Sequence, residues 1–490
     1  MIRKTIYILI LGLGVFLSDV SAQNGQALYY MNIPQNHLLN PALRPSNSFY
    51  IGLPGLSGTN LSVSNNFISF SDVFIKGQAS DSIITFLHPD YNSDKFLNKI
   101  NDKNFFEPQA LVQTFGVGFT VGDNIYMFLD INEKVEGNFV LPGDIFELAL
   151  RGNEGFVGKT IDLSSLRGEM KYYREYGFGF SRNFTDKLRI GGKGKVLTGI
   201  ASLSTDNRSL GITVNNDYTH TLNADVTINA SAPLIVNKDA DNNIESISFD
   251  TTLLATNSDY VSYLLSGKNL GFGIDLGATY DISDKIMVSA ALTNLGFIKW
   301  KSNVFNFKSE NQFEFSGLNM NDVINGSISF DSLASQMADS LKNAFKISDS
   351  NDPFTTFLPF GVTLGGSYYL TNNISVGLLS YTRFIGKQVR ESLTLSTNLN
   401  ISNTFSASLA YTIANKQYDN LGAGMAFRAG IFQLYLMADR IPLSWNKIIV
   451  DNSTIPLPLN WNTINLRFGL NLTFGNNVRK RNDKPMVLVE

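Results

Sequence analysis

The chain has 490 residues, with 40 glycines, 36 phenylalanines and 19 tyrosines, a composition suited to β-structure with many turns. Its formal charge of −3 makes no electrostatic case for nucleic acid as a partner. The absence of cysteine excludes disulfides, thiolate metal sites and a cysteine nucleophile.

The chain opens MIRKTIYILILGLGVFLSDVSAQ. Arg3 and Lys4 precede an apolar run from Ile6 to Leu17, and Val20 and Ala22 occupy the −3 and −1 positions of a cleavage site. Residues 1–22 are therefore expected to be a signal peptide cleaved after Ala22. Residue 23 is Gln, so a lipidated cysteine at the new terminus is excluded. Beyond it no apolar run approaches the ~20 residues of a membrane-spanning helix. A membrane form of this chain must then be a closed barrel, which satisfies its own backbone.

Residues 23–57 carry prolines at 34, 41, 45 and 54 and no sustained period. Such a segment fits a plug, or a periplasmic-side segment folded into a lumen, better than a ladder strand. From 58 to 475 the pattern turns to alternation. Strands are expected at 58–70, 111–121, 123–133, 172–182, 188–199, 208–218, 219–230, 269–280 and 285–297. Others follow at 357–370, 373–384, 391–400, 404–414, 420–428, 431–440 and 462–474. Most match the ~10 residues of a tilted membrane strand. The expected fold is all-β, a transmembrane antiparallel barrel of about 14 strands if the 208–230 hairpin is an external excursion, and of about 16 if it is not. Turns of one kind recur at FTDK, ISDK, LTNN and ISNT, where Asp and Asn tolerate tight backbone. Along much of the chain short turns alternate with long segments at 71–110, 134–171, 231–268, 298–356 and 441–461, with shorter connections near 385–390 and 415–419, as in outer-membrane barrels.

In GFGIDLGATYDISDKIMVSAALTNLGFIKW (271–300), Phe272, Ile274, Leu276, Ala278 and Tyr280 share one face, and Gly271, Gly273, Asp275, Gly277 and Thr279 the other. The last strand repeats this, with Leu466, Phe468, Leu470, Leu472 and Phe474 opposed to Arg467, Gly469, Asn471 and Thr473. Apolar faces should meet lipid and polar faces the lumen. Candidate lumen-facing residues are Arg189, Lys193, Lys195, Asp275, Arg428 and Arg467. Their cations could line the lumen and attract anions, or be tied up in salt bridges to Asp275, Glu175 and plug residues. The run FDSLASQMADSLKNAFKI from Phe330 reads as an amphipathic helix in the longest loop. Residues 476–490 form a polar tail.

Chemistry is sparse. His37, His88 and His220 are far apart and lack metal-ligand spacing, so they read as surface or turn residues. KDADNN from Lys238 lacks the spaced carboxylates of a calcium loop. Trp300, Trp445 and Trp461 lie near strand ends, as an interfacial aromatic girdle would. No enzyme, metal or cofactor is expected.

LLNPALRP near the mature terminus resembles the Asn-Pro-Ala element of FadL-type barrels and of the PorV and PorP proteins of Bacteroidota. DLGATYDISDKIMVSAALTNLGFIKW resembles their D-x-G-x-x-Y … N-L-G strand pair, and YYREYGFGFSRNFTDKLRIGGKGKVLTG the equivalent earlier pair. The resemblance implies a FadL-like barrel in the outer membrane of a gram-negative bacterium, with Asn40 and Pro41 in its plug. Expected partners are outer-membrane lipid and either a small hydrophobic ligand or an envelope or secreted protein, the latter making it a docking barrel. No ligand-binding residue carries over.

Overall fold

The computed structural model describes residues 25–475, apart from 77–82, 87, 89–90, 218, 239–243, 255, 316–347, 402, 415–416, 451–452 and 460. The expected signal peptide, loop helix and C-terminal tail lie outside the described residues. Within them, no helix is long and apolar enough to cross a membrane.

The wall is one closed antiparallel sheet of 14 strands. In order they are β1 (Phe49–Gly52 and Thr59–Asn65), β2 (Lys103–Val121), β3 (Ile125–Pro142), β4 (Arg167–Asn183), β5 (Leu188–Val214), β6 (Asn269–Asp281) and β7 (Ile286–Trp300). The second half comprises β8 (Phe354–Phe357 and Phe360–Tyr369), β9 (Ile374–Ile385), β10 (Gln388–Ile401), β11 (Phe405–Ala414), β12 (Gln417–Ala429), β13 (Phe432–Ile441) and β14 (Thr463–Phe474). Closure is made by β1 against β14, Phe49 opposite Phe474 and Thr59 opposite Phe468. Between the two parts of β1, residues 53–58 interrupt the strand, with Ser57 buried against Gln113 and its carbonyl accepting from Tyr435 Oη. The ladder continues around them through Leu53 N–H to Leu470 C=O and Gln113 N–H to Gly58 C=O.

Alternation decides the faces as expected. Phe178, Phe272, Leu364, Leu395, Leu409, Met425, Leu434 and Phe468 are exposed on the outside, while Asp275, Ser396, Asn398, Asn471 and Thr473 are buried within. So extensive an apolar exterior on a sheet without edges is a lipid-facing belt. Two- to four-residue turns crowd one rim, at 122–124, 184–187, 282–285, 370–373 and 430–431, and the long connections leave from the other.

Three features depart from the expected layout. Phe49–Gly52 already pairs with both neighbours, so the wall begins before residue 58. The expected strands 188–199 and 208–218 are one strand, β5, of 27 residues. Its first half pairs with β6 and its second half with His220–Ser231, which in turn pairs with Val304–Phe315. The 208–230 hairpin therefore extends the wall above the barrel. Lastly, β6 and β7 slip register beside Asp275. There Asn294 adopts φ 60° and donates its N–H to Asp275 Oδ1 at 2.6 Å. The D-x-G … N-L-G residues are thus a bulge clasp.

Candidate functional site: a plugged lumen

Residues 25–48 fill the barrel. Short 3-10 turns at Gln26–Leu28 and Pro34–Leu38 bring polar groups of the segment against several strands. Gly25 N–H donates to Asp439 Oδ2 (2.6 Å) and Tyr29 Oη to Ser289 Oγ (2.9 Å). The amides of Gln35 and Asn471 bond reciprocally at 2.8 and 3.0 Å. Such pairing offsets the cost of burying polar backbone and side chains.

The Asn-Pro-Ala element rests on two wall glycines. Asn40 donates to Tyr29 Oη at 2.8 Å, and its Oδ1 accepts the Ala42 N–H at 2.9 Å. A Cβ on Gly277 would lie 2.0 Å from Asn40 Oδ1, and one on Gly191 2.3 Å from the Pro41 carbonyl. Inward glycines therefore set how closely plug and wall approach. Gly377 beneath the Tyr30 ring and Gly424 beneath Met31 Sδ repeat the device.

One side of the plug meets a charge network. Lys193 Nζ lies 2.8 Å from Asp130 Oδ1 and 2.7 Å from Glu175 Oε1. Lys134 reaches Glu175 Oε2 at 2.6 Å, and Lys195 reaches Asp275 Oδ2 at 2.7 Å and Asn294 Oδ1 at 2.6 Å. Three ammonium groups thus face three carboxylates, all buried. The adjoining cavity of about 60 Å³ touches Asn60, Glu136 and Arg467 as well.

His37 is fully buried here, contrary to the surface or turn position expected of it. Its Nδ1 lies 2.8 Å from the Pro34 carbonyl and its Nε2 3.1 Å from Asp130 Oδ2. The ring also packs on Phe128, centroids 4.3 Å apart. The plug is thereby tied to the network, which sequence reasoning missed.

Of the six lumen candidates, Lys193, Lys195, Asp275 and Arg467 are buried inside. Arg189 and Arg428 lie instead at the short-turn rim: Arg189 Nε donates to Asn183 Oδ1 (2.8 Å), and Arg428 Nη2 to the Thr473 carbonyl (2.9 Å). Trp300 is also misplaced by the girdle reading. It is fully buried, donates to Thr356 Oγ1 at 2.9 Å and stacks on Phe354. Trp445 is exposed, and Trp461 stacks on Phe70.

The opposite side of the plug is apolar. Ala27, Leu28, Met31 and Ile33 pack against Ala410, Ala426, Tyr435 and Met437, forming a seam between the plug and β11–β13.

A family model described as a family of unknown function, DUF5723, matches residues 41–439. The chain belongs to that family. No curated protein matches it. Among solved structures it is similar to the Ralstonia pickettii toluene transporter TbuX, at 11% identity and TM-score 0.40 over 94% of this chain and 100% of that one. The Pseudomonas putida toluene transporter TodX follows at 10% and 0.39, over 94% and 99%. A Pseudomonas aeruginosa FadL homologue stands at 11% and 0.38, over 92% and 95%. In this DUF5723 member the charged network and the apolar seam are the two chemically distinct faces of the lumen.

Proposed function

We propose that the protein is an outer-membrane channel through which small hydrophobic molecules pass, with residues 25–48 as its movable stopper. The apolar seam between plug and β11–β13 carries this reading. A lumen serving only ions and polar solutes has no use for a strip of Ala, Met and Tyr buried beside the stopper. Methionine side chains repack readily around varied shapes, so Met31 and Met437 could yield to a passing hydrocarbon. The charged network on the far side then serves as the hinge that keeps the plug attached.

The test is equilibrium binding of a fatty acid and an alkylbenzene to the purified chain in detergent, repeated with Ala426→Glu. Saturable binding that this change abolishes supports the channel. Absence of binding to either probe sinks it.

The second reading is a docking barrel for an exported or envelope protein. The wall extension made by the outer half of β5, His220–Ser231 and Val304–Phe315 favours it, since it carries the sheet beyond the closed ring of strands. A protein recovered in equal amount with the chain after gentle extraction from native membranes, with no small molecule retained, would favour docking over passage.

A further inference from the structure

The lipid-facing belt has a gap in it. Outward positions on β5 run Ile190, Gly192, Gly194, Val196. The ladders place Phe180 and Leu276 on either side of Gly192, and Phe178 and Ile274 on either side of Gly194. Two absent side chains between two rows of large ones leave a trough floored by backbone. With Phe272 it forms a shallow apolar depression, open along its length to the outside of the wall.

One end of the trough is charged. Arg182 follows Phe180 on the same outward face of β4, opposite Ile190 and one residue from the strand end. Its side chain is exposed, and no carboxylate among the described residues pairs with it. The strand ends at the short-turn rim, so this guanidinium stands where hydrocarbon gives way to headgroups. A cation there is a natural phosphate ligand, because guanidinium binds phosphate oxygens in a bidentate fork.

We propose that this trough is a phospholipid site. One acyl chain lies over Gly192 and Gly194, and the phosphate sits on Arg182. The occupant follows from position and charge: the trough opens only to the membrane, its walls are hydrocarbon, and its single charged end is cationic and at the interface. The lipid belongs to the leaflet on the short-turn side. The site is separate from the lumen and independent of what the channel carries.

Native mass spectrometry of the full chain in dodecyl maltoside, titrated with dioleoyl phosphatidylglycerol, tests this. Wild type should hold one lipid tightly. Gly194→Leu should lower its affinity by about tenfold through loss of apolar burial, and Arg182→Gln by about tenfold through loss of charge-assisted hydrogen bonds. A Cβ on Gly194 meets nothing within 4 Å, so the variant's fold is spared. Gly366 on β8 is equally open, and Gly366→Leu should bind as wild type does. Unchanged affinity in either Gly194→Leu or Arg182→Gln overturns the proposal. So does an equal loss in Gly366→Leu, or a dimer that forms in place of the lipid complex and is abolished by Gly194→Leu.

Discussion

Lys193 holds two carboxylates apart on adjoining strands. Lys193→Met would leave Asp130 and Glu175 buried with one fewer cation between them. Breaking a buried network from one side typically costs about 3–5 kcal/mol, so the variant should unfold at distinctly lower urea in detergent micelles. Unchanged urea resistance would mean the network is idle. Gly191→Val should act otherwise: its side chain would collide with Pro41 and lift the plug from the wall, raising single-channel conductance without lowering the yield of folded barrel. Strand parity made Lys193, Lys195, Asp275 and Arg467 legible as inward residues, because side chains alternate with a period of two. Parity gives the face and not the height, which is why Arg189 and Arg428, on the same parity, end at the rim. His37 lies in a segment with no period, and its partner Asp130 is 93 positions away. Nothing local marks that contact.

Among the elements, β7 explains a misreading. Its outward residues are Ile286, Val288 and Ala290, then Leu295 and Phe297. The bulge at Asp275 and the left-handed Asn294 exchange the faces midway, so Trp300 turns inward beside Ile298. A one-residue register change moves every later side chain to the other face, and no hydropathy pattern announces it. Leu395→Arg, on β10, would set a cation against lipid at a cost of ~2–4 kcal/mol near the midplane. Its folding into vesicles should be slower and less complete than that of Leu395→Met. Equal folding of the two would place Leu395 away from the membrane.

For the whole molecule, the strand count, the alternation of short and long connections and the two-faced wall were readable in the chain. The extension above the barrel was partly readable, since the 208–230 hairpin stood out as a possible excursion. The continuity of β5 through it was not. A strand that changes partner midway looks, in one dimension, like two strands. The plug boundary also bears on experiment. A deletion reaching residue 56 would remove Phe49–Gly52 from the wall, whereas deletion of 26–46 spares every ladder pair. In planar bilayers the latter should open a larger and steadier conductance than the full chain. Equal conductance in a correctly folded deletion would mean that the segment does not obstruct the lumen.

The seam between β1 and β14 joins positions 426 residues apart, Ser48 to Phe474. Contacts this distant in sequence are late events in folding, because the loop they close is costly to order. The plug lies immediately before the first strand, and the last strand completes the ring around it. The plug bonds to Asp439 and Asn471 on the last two strands, so the strands that close the ring are also the ones that complete its seat.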